Sequence, residues 1–315
     1  MPEMSPVAEF DFIIVGAGSA GCLLANRLSA NPDHRVLLVE AGGKDNWFWI
    51  KVPVGYLYTI ANPRTDWCFT TEADPGLAGR SIHYARGRVI GGSSSINAMI
   101  HVRGQASDYD LWAQATGDER WLWGGPDGTG ETLAIYKKLE DYFGGADDWH
   151  GVGGEIPVER PRVRWKILDA WQAAAAQVGI APIDEFNRGD NAGSAYFHVN
   201  QRRGRRWSMA DAFLHPVAHR PNLTVYTHTQ ALRLLMDDQV HEGSASRCLD
   251  HSSAPRHRCA AAQRWPNHRR PSPQRGDPEC RCDWVTASHA GFGSGPGRAA
   301  YPASSSGGRR SSGSG

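Results

Sequence analysis

The stretch FIIVGAGSAGCLLANRL, residues 12–28, decides the fold. It opens with an apolar, β-branched run typical of a buried strand, and it closes with the spacing of an amphipathic helix. Three glycines lie between the two. Gly16 permits a sharp turn, Gly18 lets main chain approach a diphosphate, and Gly21 lets the helix pack closely on the strand. The pattern predicts a strand–turn–helix unit that binds a dinucleotide.

The next residues complete this unit. RVLLVE, residues 35–40, predicts a second strand that ends in Glu40, followed by Ala41. An acid at this place accepts hydrogen bonds from ribose hydroxyls. The first N–H groups of the helix, at Ser19 and Ala20, offer hydrogen bonds and a positive dipole end to the phosphates. A glycine turn that only packs is the alternative, but it does not account for the helix, second strand and acid together. Glu40 indicates an unphosphorylated ribose and does not separate FAD from NAD.

A second glycine-rich stretch reads YARGRVIGGSSSINAMIHVRGQASDYDLW, residues 84–112. Ordinary loops need neither this density of small residues nor this order. The apolar residues around it argue against the alternative, a flexible surface linker. The stretch resembles the first signature of the glucose–methanol–choline (GMC) oxidoreductases, which are FAD-dependent alcohol oxidases and dehydrogenases. The matching positions are Gly87, Arg88, Gly91, Gly92, Ser93, Ser94, Asn97, Gly104 and Asp110.

The resemblance implies that this loop lies against FAD. Gly91 and Gly92 would bring main chain close to the diphosphate and flavin, Ser93 and Ser94 would supply small donors, and Asn97 would fix the loop beside the ring. Ile96 stands where some members carry a histidine bonded to the flavin, so we expect non-covalent FAD. The residues expected to contact FAD are Gly16, Gly18, Ser19, Ala20, Gly21, Glu40, Ala41, Arg88, Gly91, Gly92, Ser93, Ser94, Asn97, Ala98, Met99, Ile100, Ala231 and Leu232.

The resemblance covers about the first 240 residues and implies an α/β fold, a Rossmann-like FAD-binding domain with an interleaved, incomplete α+β substrate domain. We assign residues 1–145 to the first part of the FAD-binding domain, 146–205 to the substrate domain, and 206–240 to a return to the FAD-binding domain. Residues 241–315 are expected to be a non-homologous, disordered tail.

Local patterns within these segments predict further elements. Residues 133–143 and 166–179 are predicted helices, the second with an apolar stripe that includes Ile167, Leu168 and Trp171. SAYFHVNQ, residues 194–201, is predicted to be a strand. Its His198 is expected to be a structural hydrogen-bonding residue rather than a catalytic one.

The tail differs in composition from the rest of the chain. Residues 243–315 contain 11 arginines, no lysine and 4 acidic residues, although the whole chain has a net charge of +1. The tail also contains few large aliphatic residues, and so it cannot bury enough apolar surface to fold. The four cysteines here match no zinc spacing, so we expect no metal. Arginine without lysine is also too unspecific to favour a nucleic-acid partner. The cysteines are Cys248, Cys259, Cys280 and Cys282.

A shifted reading frame is a sharper interpretation of the tail. DPECRCDWVTASHAGFGSGPGR, residues 277–298, can be read one nucleotide later as ILSAGAIGSPQVMQVSGVGPAE, which contains a motif that the family has at this place. The codon of Trp284, followed by a valine codon, forces the glycine of IGSP in that reading. We infer a change of frame between about Asp237 and Gly243.

By the resemblance, the chain is an FAD-dependent oxidoreductase acting on the CH–OH group of a small-molecule alcohol, similar to choline and alcohol dehydrogenases. The family's catalytic histidine lies beyond the point of departure, so we name no catalytic residue and expect a truncated, inactive chain. A non-catalytic FAD-binding fragment and a nucleic-acid-binding tail are the alternatives. Neither a secretory signal nor an apolar run of about 20 residues is visible, and Cys22 and Cys68 give no disulfide framework. We therefore expect no membrane segment and a cytoplasmic location. Incomplete sheets also predict exposed apolar edges and aggregation.

Overall fold

The computed structural model describes residues 10–124, 130–189, 191–232 and 234–235, together with two short strands at Arg258–Cys259 and Gln263–Arg264. Apart from those strands, the predicted tail lies outside the described residues. So do the interpretations of it as a disordered, metal-binding, nucleic-acid-binding or frame-shifted segment.

The described chain alternates short strands and helices. The strands are β1 (Phe12–Val15), β2 (Val36–Val39), β3 (Phe69–Thr70), β4 (His83–Tyr84), β5 (Glu140–Tyr142), β6 (Ile156–Val158), β7 (Gln201–Arg202), β8 (Arg205–Arg206), β9 (Leu223–Tyr226), β10 (Thr229–Gln230), β11 (Leu234–Leu235), β12 (Arg258–Cys259) and β13 (Gln263–Arg264). The α-helices are α1 (Ser19–Leu28), α2 (Phe48–Lys51), α3 (Tyr56–Thr59), α4 (Ala106–Thr116), α5 (Thr132–Leu139) and α6 (Lys166–Gln177). A π-helical turn spans Ala210–Leu214.

A parallel sheet in the order β1–β2–β9 forms the centre of the unit predicted to bind a nucleotide. All four residues of β2 are buried, which explains why its sequence is continuously apolar rather than alternating. Helix α1 packs against the π-helical turn, and Cys22, Ala25 and Phe213 are buried in the shared core. This is the predicted strand–turn–helix–strand unit, and β9 joins its sheet beside β2.

Two elements predicted between residues 133 and 201 differ from those observed. Helix α5 ends at Leu139 rather than at Phe143, because Glu140 turns into an extended conformation and begins β5, which pairs in parallel with β6. Of the predicted strand over 194–201, only Gln201 lies in a strand, while Ser194 and Val199 form isolated bridges. Neighbouring side chains there turn to different partners. Tyr196 donates a hydrogen bond to Asp169, and Phe197 stacks on Phe186.

Helix α6 forms where the sequence predicts it, and Gly179 follows it with a φ of 88°. Its apolar stripe does not face a core in the described part of the chain. Ile167 and Trp171 are 71% and 61% exposed, and Ala175 is the buried residue of the helix. The helix therefore forms with most of its apolar face open to solvent.

Candidate functional site

The glycine turn lies at the carboxyl end of β1, where ligands bind in open parallel sheets. Gly16 has a φ of 93°, in the left-handed region that favours glycine. A Cβ on Gly21 would overlap the carbonyl of Gly16, so only glycine lets α1 start this close to the turn. Ser19 and Ala20 are exposed at the start of α1, and their N–H groups have no acceptor within the helix. The predicted roles of Gly16 and Gly21 thus match the backbone geometry.

The second glycine stretch lies directly against this turn. The N–H of Gly91 donates to the carbonyl of Ala17 at 2.7 Å. Gly91 and Gly92 have φ values of 88° and 55°, and a Cβ on Gly92 would lie 2.7 Å from the Cα of Gly18. Two segments far apart in the chain thus present their main chains side by side, and side chains are excluded from the contact.

Glu40 connects the end of β2 to the same turn. Its two carboxylate oxygens accept from the N–H of Ala17 at 2.8 Å and from the N–H of Gly42 at 2.7 Å. Glu40 is 6% exposed. Burial raises the pKa of Glu40, while these two hydrogen bonds and the charge of Arg88 oppose the rise. Glu40 therefore holds the loop in shape, and its remaining lone pairs are the ones available to a ribose hydroxyl.

The serines of the second stretch bond to their own loop. Ser93 Oγ accepts from the N–H of Gly87 at 3.1 Å, and Ser94 Oγ donates to the carbonyl of Gly91 at 2.6 Å. Ser95, which the sequence did not single out, donates to the carbonyl of Ile90 at 2.8 Å. These hydroxyls satisfy main-chain groups that the tight turn leaves without partners, so the serines build the loop as well as lining it.

Arg206 donates hydrogen bonds to the second glycine stretch, and the sequence analysis did not identify it. Its side chain is 1% exposed. Its Nε donates to the carbonyl of Ile50 at 2.8 Å, and its Nη1 donates to Asn97 Oδ1 at 2.8 Å and to the carbonyl of Ser94 at 3.1 Å. Burial lowers the pKa of Arg206 to about 10. In QRRGRRW, residues 201–207, nothing distinguishes this arginine from its three neighbours.

The other predicted residues lie in three further short segments. The N–H of Thr229 donates to the carbonyl of Glu40 at 2.9 Å, which ties β10 to the end of β2; Ala231 and Leu232 directly follow. Met99 is buried with a φ of 61°, whereas Ala98 and Ile100 on either side are exposed. Ala41, between Glu40 and Gly42, is partly buried.

The geometry fits a dinucleotide such as FAD. Glycine main chain lines one wall, and the first N–H groups of α1 face outward without a carboxylate in the first turn of that helix. Arg88 adds a positive charge, and its buried Nε has no hydrogen-bond partner among the described residues. The chain thus offers N–H groups and a cation to a diphosphate, and a carboxylate to a ribose.

A buried charged network joins segments that are far apart in the chain, between Arg103 and His198. Glu140 accepts from Arg103 at 2.8 Å, and His150 lies between Glu140 at 3.0 Å and Glu185 at 2.7 Å. The two carboxylates raise the pKa of His150 to about 9, and the histidines hold the pKa of Glu185 down at about 2. His198 is 7% exposed, with Nδ1 at 3.4 Å from Glu185. His198 thus belongs to this structural network.

Two groups of side chains among the described residues have the composition of metal ligands, namely Asp45/Asp211/His215 and Asp66/Cys68/His83. In the first group, Lys51 Nζ lies 2.8 Å from both aspartates and supplies the positive charge itself. In the second group, the carboxylate of Asp66 already accepts from three backbone N–H groups. The prediction that no metal is bound stays a prediction. In the part of the chain that the structure describes, no helix has the length and apolarity to cross a membrane.

Comparisons with known proteins converge on one family. A family model described as GMC oxidoreductase matches residues 10–263, which extends past residue 240. The alcohol dehydrogenase [acceptor] of Pseudomonas putida is 40% identical over 235 residues, which are 74% of this chain and 41% of that protein. The mitochondrial choline dehydrogenase of Mus musculus is 37% identical, with 73% of this chain and 38% of that protein covered.

Solved structures give the same result. Pyridoxine 4-oxidase from Mesorbium loti is 41% identical with a TM-score of 0.68, and the match covers 73% of this chain and 44% of that one. A formate oxidase is 26% identical with a TM-score of 0.64, over 75% of this chain and 41% of that one. The chain spans about 40% of the length of the relatives it matches.

Proposed function

The chain belongs to the GMC oxidoreductase family, and we propose that its N-terminal part binds FAD without a covalent bond. The contact between the two glycine segments, Gly18 against Gly92, carries this proposal. Two main chains that approach so closely keep side chains away from the first N–H groups of α1, which suits a diphosphate. Ile96 supports the non-covalent mode, because it has no nucleophilic atom and is 2% exposed.

Each wall of the site takes a part of the cofactor in this proposal. The diphosphate lies on the glycine main chain, the start of α1 and Arg88, while Glu40 and Ala41 take the ribose. Ala231 and Leu232 lie beside the adenine. The flavin lies beside the segment from Asn97 to Ile100. The full set is Gly16, Gly18, Ser19, Ala20, Gly21, Glu40, Ala41, Arg88, Gly91, Gly92, Ser93, Ser94, Asn97, Ala98, Met99, Ile100, Ala231 and Leu232.

The reaction that fits such a site is oxidation of an alcohol CH–OH group. Bound FAD supplies the hydride acceptor. The described residues contribute binding and orientation. Arg206 holds Asn97 and the Ser94 carbonyl in place, and Glu40 fixes the glycine turn. A group that takes the alcohol proton is not assigned to any residue of this chain. A small-molecule alcohol is thus the proposed substrate class of the family member to which this segment corresponds.

FAD titration of the purified protein tests the cofactor proposal. We expect saturable FAD uptake with a flavin absorption band, and release of all flavin into the supernatant after acid precipitation. NAD under the same conditions should not bind measurably. Protein that stays colourless and takes up no FAD contradicts the cofactor proposal, and flavin that stays with the precipitate contradicts the non-covalent mode.

A non-catalytic FAD-binding fragment is the second candidate, and alcohol-dependent dye reduction separates it from an enzyme. We expect no turnover of choline or simple alcohols by this chain, because the resemblance places the family's catalytic histidine beyond the residues that it covers. Steady turnover would contradict the fragment hypothesis.

We also propose the change of reading frame between about Asp237 and Gly243. The nucleotide sequence tests it, since a stop codon in the alternative frame would exclude it. The cytoplasmic location and the absence of a nucleic-acid partner stay predictions.

A further inference from the structure

A tight hairpin gathers four arginines beside the loop that Arg206 supports. Strands β7 and β8 pair in antiparallel fashion around Arg203 and Gly204, whose φ values are 53° and 75°. Two consecutive positive φ values are typical of the type I′ turn, which keeps the two strands close together. Arg202 and Arg205 flank the turn, so the hairpin presents its positive charges within a very short span.

The hairpin forms one wall of a cavity with a volume of about 380 Å³. This is in the size range of pockets that hold small molecules. Five of its lining residues are cationic and one is a carboxylate. None of the lining residues is among those proposed to contact FAD. The residues that line the cavity are Lys51, Arg202, Arg203, Arg205, Arg206, Trp207 and Asp211.

Two of the five cations already have carboxylate partners. Lys51 Nζ lies 2.8 Å from Asp211 Oδ1 and 2.8 Å from Asp45 Oδ2. Arg202 Nη2 lies 3.2 Å from Asp141 Oδ2, and its guanidinium lies over the ring of Trp207 at 4.4 Å. The sole carboxylate of the cavity wall is therefore engaged by Lys51.

The other three cations make no ion pair among the described residues, although the charge of Asp211 acts favourably on Arg206 at longer range. The side chains of Arg203 and Arg205 are exposed and make no ion pair with the described residues. Arg206 is 1% exposed, and its Nη2 has no hydrogen-bond acceptor within the described part of the chain. A buried N–H without an acceptor is costly, and it is costlier still on a charged group.

We propose that this cavity binds a small molecule through a phosphoryl group. Three guanidinium groups without an ion pair among the described residues suit an oxyanion with more than one negative charge, and their planar N–H pairs match phosphate oxygens. The Nη2 of Arg206 supplies the buried hydrogen bond, and Arg203 and Arg205 supply the outer ones. Arg206 also bonds Asn97, so the bound anion lies one side chain away from the loop proposed to lie beside flavin.

Calorimetric titration with inorganic phosphate and pyrophosphate tests this proposal, in a chloride buffer at constant ionic strength. We expect a saturable site that binds pyrophosphate more tightly than phosphate and that remains when FAD fills the proposed diphosphate site. The double variant Arg203→Gln/Arg205→Gln should lower the pyrophosphate affinity by about tenfold. These side chains are exposed, so the variant should fold normally, which its thermal unfolding checks. Arg80→Gln, at an exposed arginine outside the cavity, is the matched control and should bind like the original protein.

Two further measurements complete the test. Titration with citrate separates phosphoryl from carboxylate recognition, and citrate binding as tight as that of pyrophosphate would overturn the phosphoryl assignment. The titrations are repeated on FAD-saturated protein, because the cavity and the FAD-contacting residues do not overlap. Pyrophosphate binding that persists with bound FAD supports the cavity. Unchanged binding in the double variant, or binding that FAD abolishes, overturns it. Anion binding by a protein that takes up no FAD would refute only the cofactor proposal.

Discussion

The N–H of Gly91 donates a hydrogen bond to the carbonyl of Ala17 at 2.7 Å. This bond joins the loop after β1 to the second glycine segment. It fixes the two main chains in one arrangement, because neither residue can rotate away without losing its partner. It places the second glycine segment beside the start of α1, whose first N–H groups have no acceptor within the helix. The proposed diphosphate site depends on this relationship.

The tight approach at Gly92 predicts a large effect of a single methyl group. Gly92→Ala places a Cβ 2.7 Å from the Cα of Gly18 and forces alanine into a φ of 55°. We expect the free energy of unfolding to fall by about 2–4 kcal/mol and the FAD affinity to fall by at least about tenfold. Urea unfolding and FAD titration measure the two effects.

Gly79→Ala is the matched control for that variant. Gly79 also has a positive φ, 74°, but a Cβ there would meet nothing within 4 Å. This variant carries only the backbone cost, about 1 kcal/mol, and should bind FAD like the original protein. Equal losses of FAD affinity in the two variants would contradict the role assigned to the contact.

Glu40→Gln tests the carboxylate that joins β2 to the glycine turn. A glutamine side chain has one oxygen, so one of the N–H groups of Ala17 and Gly42 would face an amide NH₂ instead of an acceptor. We expect a loss of about 1–3 kcal/mol in the free energy of unfolding, with weaker FAD binding. Full FAD affinity together with unchanged stability would show that Glu40 does not shape the turn.

The buried network predicts how stability depends on pH. The pKa of His150 is raised from 6.5 to about 9, so its stabilising charge is fully present below pH 6.5 and is lost as the pH rises through 9. His215, beside Asp45 and Asp211, is shifted in the same direction to about 9. We expect the free energy of unfolding to be lower at pH 9.5 than at pH 6.5.

Urea unfolding of the original protein, His150→Gln and His215→Gln at both pH values separates the two contributions. Each variant should lose stability at pH 6.5 and show a smaller difference between the two pH values. A pH dependence that neither substitution reduces would exclude both histidines as its source.

The exposed apolar face of α6 predicts substitutions that reduce self-association with little change in the free energy of unfolding. Ile167 is 71% exposed, so Ile167→Glu should change the free energy of unfolding by no more than about 0.5 kcal/mol. It should also reduce self-association, because an apolar face without a cover promotes contacts between molecules. Light scattering against concentration measures this effect. Ala175→Glu, at the buried position of the same helix, should destabilise by about 3 kcal/mol or more. Aggregation unchanged by Ile167→Glu would contradict the role of this face.

The sequence by itself determined the nucleotide-binding unit. The apolar run, the three glycines of the turn and Glu40 follow one another at short, fixed spacings, so local pattern is enough to place β1, α1 and β2. The second glycine segment could be recognised for the same reason, because its unusual composition is visible in the sequence without knowledge of its contacts.

Only the tertiary structure decided what those residues contact. The carboxylate of Glu40 bonds main chain, and the buried Arg206 supports Asn97 from a hairpin whose other arginines are exposed or partly exposed. Helix α5 ends at Leu139, earlier than predicted, because Glu140 pairs with Arg103, which is distant in sequence, and with His150, which lies across a turn. Burial and ion pairing depend on which distant segments meet, and a local pattern of residue types carries no information about that meeting.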